Sequence, residues 1–297
     1  MKILVLGSSG QLGKCLFDSF SGSFHNVCYT NRLEIDISNF DDTRSKIVAL
    51  QPDIIINATA FTDVEGAEDK FSEAFIVNHL AVGNLGQISH DIGCWLIHFS
   101  TDYVFDGLAI RAYCESDPPN PCGVYGASKL KGEISISLVN CKHVIIRTSW
   151  LFSEYGSNFL KTMLRIGCVN DQVRVVYDQL GAPTYARDLA DAVRDIVASI
   201  FYQRAVSGVF HFSGSSYCSW FDFAKQIFKD ADEVGLQMSA ELIAVKSEDY
   251  PSRIIRPTNS RLDTEKIYRT YNISPSNWKG GIKRAINYIV NHYPNPQ

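Results

Sequence analysis

"KILVLGSSGQLG" (residues 2–13) is the stretch on which the fold turns. An apolar run, Ile3 to Leu6, ends in a glycine-rich turn, and a helical pattern opens directly behind it. Gly7, Gly10 and Gly13 stand three and three apart, not two and three as in the commonest dinucleotide fingerprint. The physics is shared. Gly7 permits the tight turn, Gly10 lets a pyrophosphate approach the backbone, and Gly13 lets the helix pack close to the sheet. The helix N-terminus offers free N–H groups and a partial positive charge to phosphates. Gly7, Gly10, Gln11, Leu12 and Gly13 are therefore the expected cradle of a dinucleotide. A glycine-rich loop without this strand-to-helix context would be only a turn.

The alternation continues outward. "NVCYT", a short "LEIDIS", "DIIINATA", "WLIHFSTDYVF" and "HVIIRTSWLF" read as strands. Residues 13–20, 41–50, 68–90 and 125–139 read as helices between them. Strands apolar on both faces and separated by helices predict a parallel sheet covered on both sides. The expected class is α/β, a doubly wound parallel sheet of Rossmann type. After Trp150 the rhythm loosens, although 158–166, a helix opened by Thr184 and "SWFDFAKQIFKDA" keep helical period, and "QVRVVYDQ" and "GVFHFSG" read as strands. A smaller, interleaved C-terminal lobe follows. Residues 1–148 with about 174–213 are expected to bind the dinucleotide, and 149–173 with 214–297 the substrate.

Composition removes other classes. The 297 residues carry a net charge of −4 without long single-sign runs, which argues against nucleic acid as partner. No stretch reaches the ~18 apolar residues of a membrane helix, and the apolar core of the N-terminus is too short for a signal peptide. The eight cysteines show no Cys-x-x-Cys pair or zinc spacing and read as reduced thiols of a cytoplasmic protein.

The expected chemistry sits at strand ends. At the end of the second strand, an acid would accept from the ribose 2′-hydroxyl of NAD and repel the 2′-phosphate of NADP. Here stand Asn31 and Arg32, and the first acid comes at Glu34. A planar guanidinium suits a phosphate, so NADPH is the expected cofactor, with NADH also admitted; otherwise Arg32 is a solvated loop arginine. Asp36 and Ile37 would contact the adenine. Thr59, Ala60 and Thr62 would let the cofactor pass, with Asn57 satisfying backbone groups nearby. Ser100, Thr101 and Asp102 close an apolar strand where ligands of such sheets bind; strand-end capping is the plainer use of the same residues.

Fourteen tyrosines occur, and only Tyr125 has a lysine four residues on, Lys129. Residues so spaced share a helix face. An ammonium there would lower the phenol from about 10 toward working pH and make it a general acid. Gly126, Ala127 and Ser128 between them would leave room for a flat nicotinamide and a sugar.

"GSSGQLG", "STDYVFDG" and "YGASK" resemble the extended short-chain dehydrogenase/reductases. "VYGASKLKGE", "RTSWLF", "NFLKTML", "DQLGAPT" and "RPTNSRLDT" narrow the resemblance to the dTDP-4-dehydrorhamnose reductases. It spans residues 7–264. It implies NADPH-dependent reduction of a 4-keto group on a dTDP-sugar, the small-molecule partner. Tyr125 is implied as proton donor to the sugar O4, with Lys129 tuning it and holding the nicotinamide ribose. Thr101 would bond near the reacting oxygen, with Asp102 beside the sugar. Trp150 would contact substrate, unless it is a core aromatic. Arg256, with Asn158, would meet the nucleotide diphosphate. Some such enzymes form homodimers through magnesium on carboxylates, one of them two residues past the glycine loop. Lys14 and Cys15 stand there, so no metal is expected and a homodimer by that route is not implied. Two alternatives share the pattern: a reductase of another nucleotide 4-keto-6-deoxyhexose, and a non-catalytic regulatory subunit of the methionine adenosyltransferase type.

Overall fold

A computed structural model of the chain describes residues 1–23, 25–254 and 256–292. Ile255 of the C-terminal loop and the last five residues of the expected second lobe lie outside it. Strands β1 (Lys2–Leu6), β2 (Asn26–Thr30), β3 (Ile54–Asn57), β4 (Trp95–Thr101) and β5 (Lys142–Thr148) form a parallel sheet. The short local strands β6 (Leu151–Phe152), β7 (Gln172–Val176), β8 (Leu180–Gly181) and β9 (Thr184–Tyr185) intervene before β10 (Gly208–His211), which completes it. The sheet order is β10-β5-β4-β3-β1-β2. The direction of winding reverses between β1 and β3, which opens a crevice at their carboxyl ends.

Interior parallel strands must be apolar on both faces, and Ile54, Ile55 and Ile56 are each fully buried. Helices α1 (Gln11–Phe20) and α8 (Ala186–Phe201) cover one face. The apolar stripe Leu189, Val193, Ile196 and Ile200 directs α8 onto the sheet. The other face carries α2 (Phe40–Leu50), α5 (Ala81–Ile92) and α6 (Val124–Val139). A second core gathers α7 (Phe159–Val169), α9 (Trp220–Glu233) and α11 (Trp278–His292). It holds β7, paired with β12 (Glu241–Val245), while β8 pairs with β11 (Cys218–Ser219) and β6 with β9.

Several expected elements differ. "LEIDIS" is a turn, because the Asp36 carboxylate captures Ser38 N at 3.0 Å and its carbonyl accepts from Thr43 Oγ1 at 3.0 Å. The long helix over 68–90 is divided into α3 (Gly66–Asp69), α4 (Phe71–Phe75), a π-helical turn Ile76–Leu80 and α5. "HVIIRTSWLF" breaks after Thr148, where Trp150 takes a left-handed φ of 48°. The exchange between lobes expected near 174 falls inside β7, whose Val173 and Val175 pack in the second core. Conversely, Ile267 of α10 (Glu265–Tyr271) and Ile273 return to the first core.

Candidate active site

The glycine loop lies at the switch point. Gly7 takes φ +83°, and its N–H and that of Ser8 donate to Thr30 O at 2.9 and 3.0 Å. A Cβ on Gly13 would overlap the Gly7 carbonyl oxygen, so the helix can approach the loop only here without a side chain. Gly10 caps α1 with no side-chain hydrogen bond, which leaves first-turn N–H groups to an incoming anion. These features fit a dinucleotide pyrophosphate. The Leu12 side chain packs into the first core, so only its backbone serves the loop. Gln11 is drawn to the second lobe: its Nε2 donates to Leu151 O at 3.3 Å, and its Oε1 accepts from Asn158 Nδ2 at 2.7 Å. Asn158 also donates to Ser153 O at 2.8 Å and caps α7 by accepting from Lys161 N at 3.2 Å. Its amide thus joins the two lobes.

At the adenosine end, Asn31 is folded into the turn, its Oδ1 accepting from Leu33 N at 2.8 Å. Glu34 turns back to accept from Asn31 N at 2.8 Å. The Arg32 side chain is 81% exposed and pairs with Asp36 at 3.1 Å. Hydrogen bonds from Ser38 hold the Asp36 carboxyl below its ordinary range, and both of its oxygens have protein partners. Ile37 is buried in the core and presents no side chain to a ligand. Thr59 is half-buried, while Ala60 and Thr62 are exposed along the loop after β3.

At the catalytic end, β4 ends at Thr101, and a single 3₁₀ turn, Asp102–Val104, redirects the chain. Thr101 Oγ1 accepts from Tyr103 N at 3.2 Å and lies 3.1 Å from Asp102 Oδ1, to which it donates. Asp102 is buried, and desolvation raises its carboxyl to about 6 against the nearby Ser260 and Thr101 hydroxyls, of which Thr101 is within hydrogen-bond distance. Its Oδ2 has no partner among the described residues.

Tyr125 and Lys129 do share one face of α6, but the expected tuning is not found. Burial first, and then the Asp102 charge, raise the Tyr125 phenol, against a hydrogen bond with Thr101. The Lys129 Nζ lies 3.4 Å from His98 Nε2, and burial lowers it to about 8 against the pull of Glu133. The space left by Gly126 is also otherwise used: a Cβ there would overlap the Tyr103 carbonyl. Ser128 bonds back to Tyr125 O at 2.8 Å and accepts from Asn78 at 3.1 Å.

One cavity adjoins this cluster and a second lies beyond it, with Ile254 lining both. One of about 290 Å³ is lined by Tyr125, Tyr103, Glu68 and Arg253. The other, about 730 Å³, is lined by Phe159, Trp220, Tyr250, Arg174, Gln179 and Arg256. Arg256 Nη2 donates to Glu65 at 2.9 Å, and its Nε is buried without a partner among the described residues. Trp150 stacks on Trp220 at 3.6 Å between ring centroids, so it is Trp220 that faces the larger cavity. Cys15 is buried with its thiol pushed up to about 12 by desolvation, and Lys14 lies over the Tyr155 ring. Neither supplies a carboxylate for a bridging metal. Among the described residues no helix is long and apolar enough to cross a membrane.

His98, Trp220, Glu65 and Ser260 carry no sequence signal of their role. A histidine in a buried strand and a tryptophan in an amphipathic helix look like packing until the lobes are assembled.

The model of the RmlD substrate binding domain matches residues 1–291. A dTDP-4-dehydrorhamnose reductase of Sinorhizobium fredii is 39% identical over 289 residues, covering 96% of this chain and 97% of that protein. Among solved structures, a reductase of the same name from Clostridium acetobutylicum superposes with a TM-score of 0.90 at 33% identity, covering 97% of this chain and 99% of that one. One from Bacillus anthracis, solved in complex with NADP, gives 0.88 at 32%, with the same coverage. With the fold, the glycine loop and the Thr101–Tyr125–Lys129 cluster in place, this chain belongs to the RmlD substrate binding domain family, the dTDP-4-dehydrorhamnose reductases.

Proposed function

We propose that this chain reduces the 4-keto group of dTDP-4-dehydro-L-rhamnose to give dTDP-L-rhamnose, with NADPH as reductant, in the cytoplasm, where its eight free cysteines stay reduced. The observation that carries the reading is the cluster of buried Thr101 and Asp102 with half-buried Tyr125 beside the switch-point crevice, together with an aromatic and arginine-lined cavity that shares Ile254 with the cavity at Tyr125. NADPH bound on the glycine loop supplies the hydride. The raised Tyr125 pKa keeps the phenol protonated at neutral pH, as a general acid requires, and Tyr125 delivers that proton to the sugar O4. Lys129, whose proton is lost only near 8, provides positive charge on the same helix face as the phenolate is formed. The unpartnered Asp102 oxygen accepts a sugar hydroxyl. Phe159 and Trp220 offer flat apolar surface to a pyrimidine base, and Arg174 and Arg256 offer charge to the diphosphate.

Mixing the protein, NADPH and the keto sugar tests the function by loss of NADPH absorbance. Bound but unoxidised NADPH would mark a regulatory protein instead.

Two substitutions test the ligand assignments. Arg256→Ala is expected to raise the sugar-nucleotide KM roughly 10- to 150-fold, the equivalent of about 1.5–3 kcal/mol for a charge-assisted hydrogen bond, and to leave NADPH binding intact. Lysine there should restore only part, since it lacks the planar fork. Unchanged dTDP affinity by calorimetry, with a lowered melting temperature, would reduce Arg256 to a strap onto Glu65. Arg32→Ala should narrow the preference for NADPH over NADH, chiefly through a higher NADPH KM. An enzyme favouring NADH tenfold, with or without Arg32, would rule out the phosphate role.

A further inference from the structure

The parallel register sets Asn57 of β3 beside His98 of β4, and α6 lays Lys129 over them. Asn57 and His98 are 1% and 0% exposed, and Lys129 is 2% exposed, so no bulk water serves these groups. The hydrogen bonds then fix each proton. Thr59 N–H can only donate, and it donates to Asn57 Oδ1 at 3.1 Å, joined by the Thr59 hydroxyl at 2.5 Å. That settles which end of the amide is oxygen. The Asn57 Nδ2 therefore donates to His98 Nδ1, 3.1 Å away. Nδ1 must be bare, and the proton of a neutral imidazole must sit on Nε2. Nε2–H then faces Lys129 Nζ at 3.4 Å. An amine can accept that proton in a hydrogen bond; an ammonium, which has only donors, cannot.

We infer that His98, locked as the Nε2–H tautomer by Asn57 and the Thr59 backbone, is a positioning residue that disfavours the ammonium form of Lys129 and so sets the pH at which the site loses its positive charge. The charged and titratable groups around Lys129 are few. Glu133 and Tyr125 lie on its own helix. His98 comes from β4, with Asp102 just beyond its end, and Arg147 of β5 is paired with Glu133. Burial opposes the ammonium and Glu133 favours it; the Nε2–H of His98, turned toward Nζ at 3.4 Å, adds to the opposition. The ammonium is present below about 8 and lost above it, so reductase activity should decline through that pH on the basic side. The His98 ring itself stays neutral, because burial and then Lys129 hold its pKa well below the ordinary value. It acts through its tautomer and does not titrate in the working range.

The inference rests on the reductase reading for its kinetic consequence but not for its structural one, and two measurements separate them. Proton-coupled ¹⁵N spectra of the resting protein, with His98 assigned by the His98→Gln variant, should show hydrogen on Nε2 and a bare Nδ1. Hydrogen on Nδ1, or on both nitrogens, at neutral pH would overturn the proposal whether or not the protein turns over. Asn57→Asp should reverse the tautomer, because a carboxylate accepts from Nδ1–H and Thr59 N–H keeps its partner. Nε2 then accepts from the ammonium, and the basic limb of the pH–rate profile should rise by about one unit or more. In a His98→Leu background the same change should move the limb less than half as far. An equal shift in both backgrounds, or none in either, would show that the new charge acts without His98 and would reject the inference.

Discussion

Tyr125→Phe is expected to lower turnover by about 10²–10⁴-fold, the usual contribution of a positioned general acid, while NADPH affinity is retained. The phenyl ring keeps its edge-to-face contact with Tyr103, where the centroids lie 5.7 Å apart, so the cavity wall survives. What disappears is the phenol beside Thr101 and Asp102 at the end of β4, and with it the proton for O4. Steady-state rates and cofactor titration on one preparation separate the effects. Near-normal turnover would remove Tyr125 as the acid, and loss of NADPH binding would make it structural.

Glu133→Leu should destabilise the fold by about 3–5 kcal/mol, the usual result of stripping one partner from a buried ion pair. Arg147 and Glu133 each expose only 4% of their side chains. They meet in a two-pronged bond, Nη2 to Oε2 at 2.6 Å and Nε to Oε1 at 3.0 Å. Parallel pairing of β5 with β10 places His211 beside Arg147, with Nη1 and Nε2 3.5 Å apart. That imidazole is held neutral, its pKa lowered to about 3 by burial and then by Arg147, and cannot replace the carboxylate. In urea the midpoint should fall with an unchanged m-value. The double change Glu133→Leu with Arg147→Met should recover most of the loss, since a packed apolar pair avoids the desolvation cost. A single variant as stable as the unaltered protein would show that the pair contributes little. This pair also anchors the helix that carries Lys129 and Tyr125, which links the stability of the first lobe to the geometry of its site.

The parallel sheet could be read from "KILVL" and "IIIN" because interior strands need apolar residues on both faces, and that demand leaves a plain pattern. The pairing of Tyr125 with Lys129 could be read from spacing alone, since helix period is local. The direction of the pKa shift could not. It depends on how deeply α6 sinks against β4 and on Asp102, which approaches only when the end of β4 meets the helix. Asn158 and Trp150 show the same limit. Nothing local in the motif shows that the Asn158 amide bonds Gln11 across the lobes or that Trp150 stacks on Trp220. "LEIDIS" alternates like a strand, yet the bond donated by Ser38 to the Asp36 carboxylate is shorter in range and wins. Arg256 and Glu65 are 191 residues apart, and no local pattern could have joined them.

The most direct measurement is the product formed from dTDP-4-dehydro-L-rhamnose and NADPH deuterated at the transferable C4 position. A reductase with Tyr125 as acid should yield dTDP-L-rhamnose with one deuterium at sugar C4, seen by NMR as loss of the H4 signal and collapse of its coupling to H3 and H5. Recovery of unchanged keto sugar beside bound, unoxidised NADPH, or deuterium at C4 of the 6-deoxy-L-talose epimer, would contradict it.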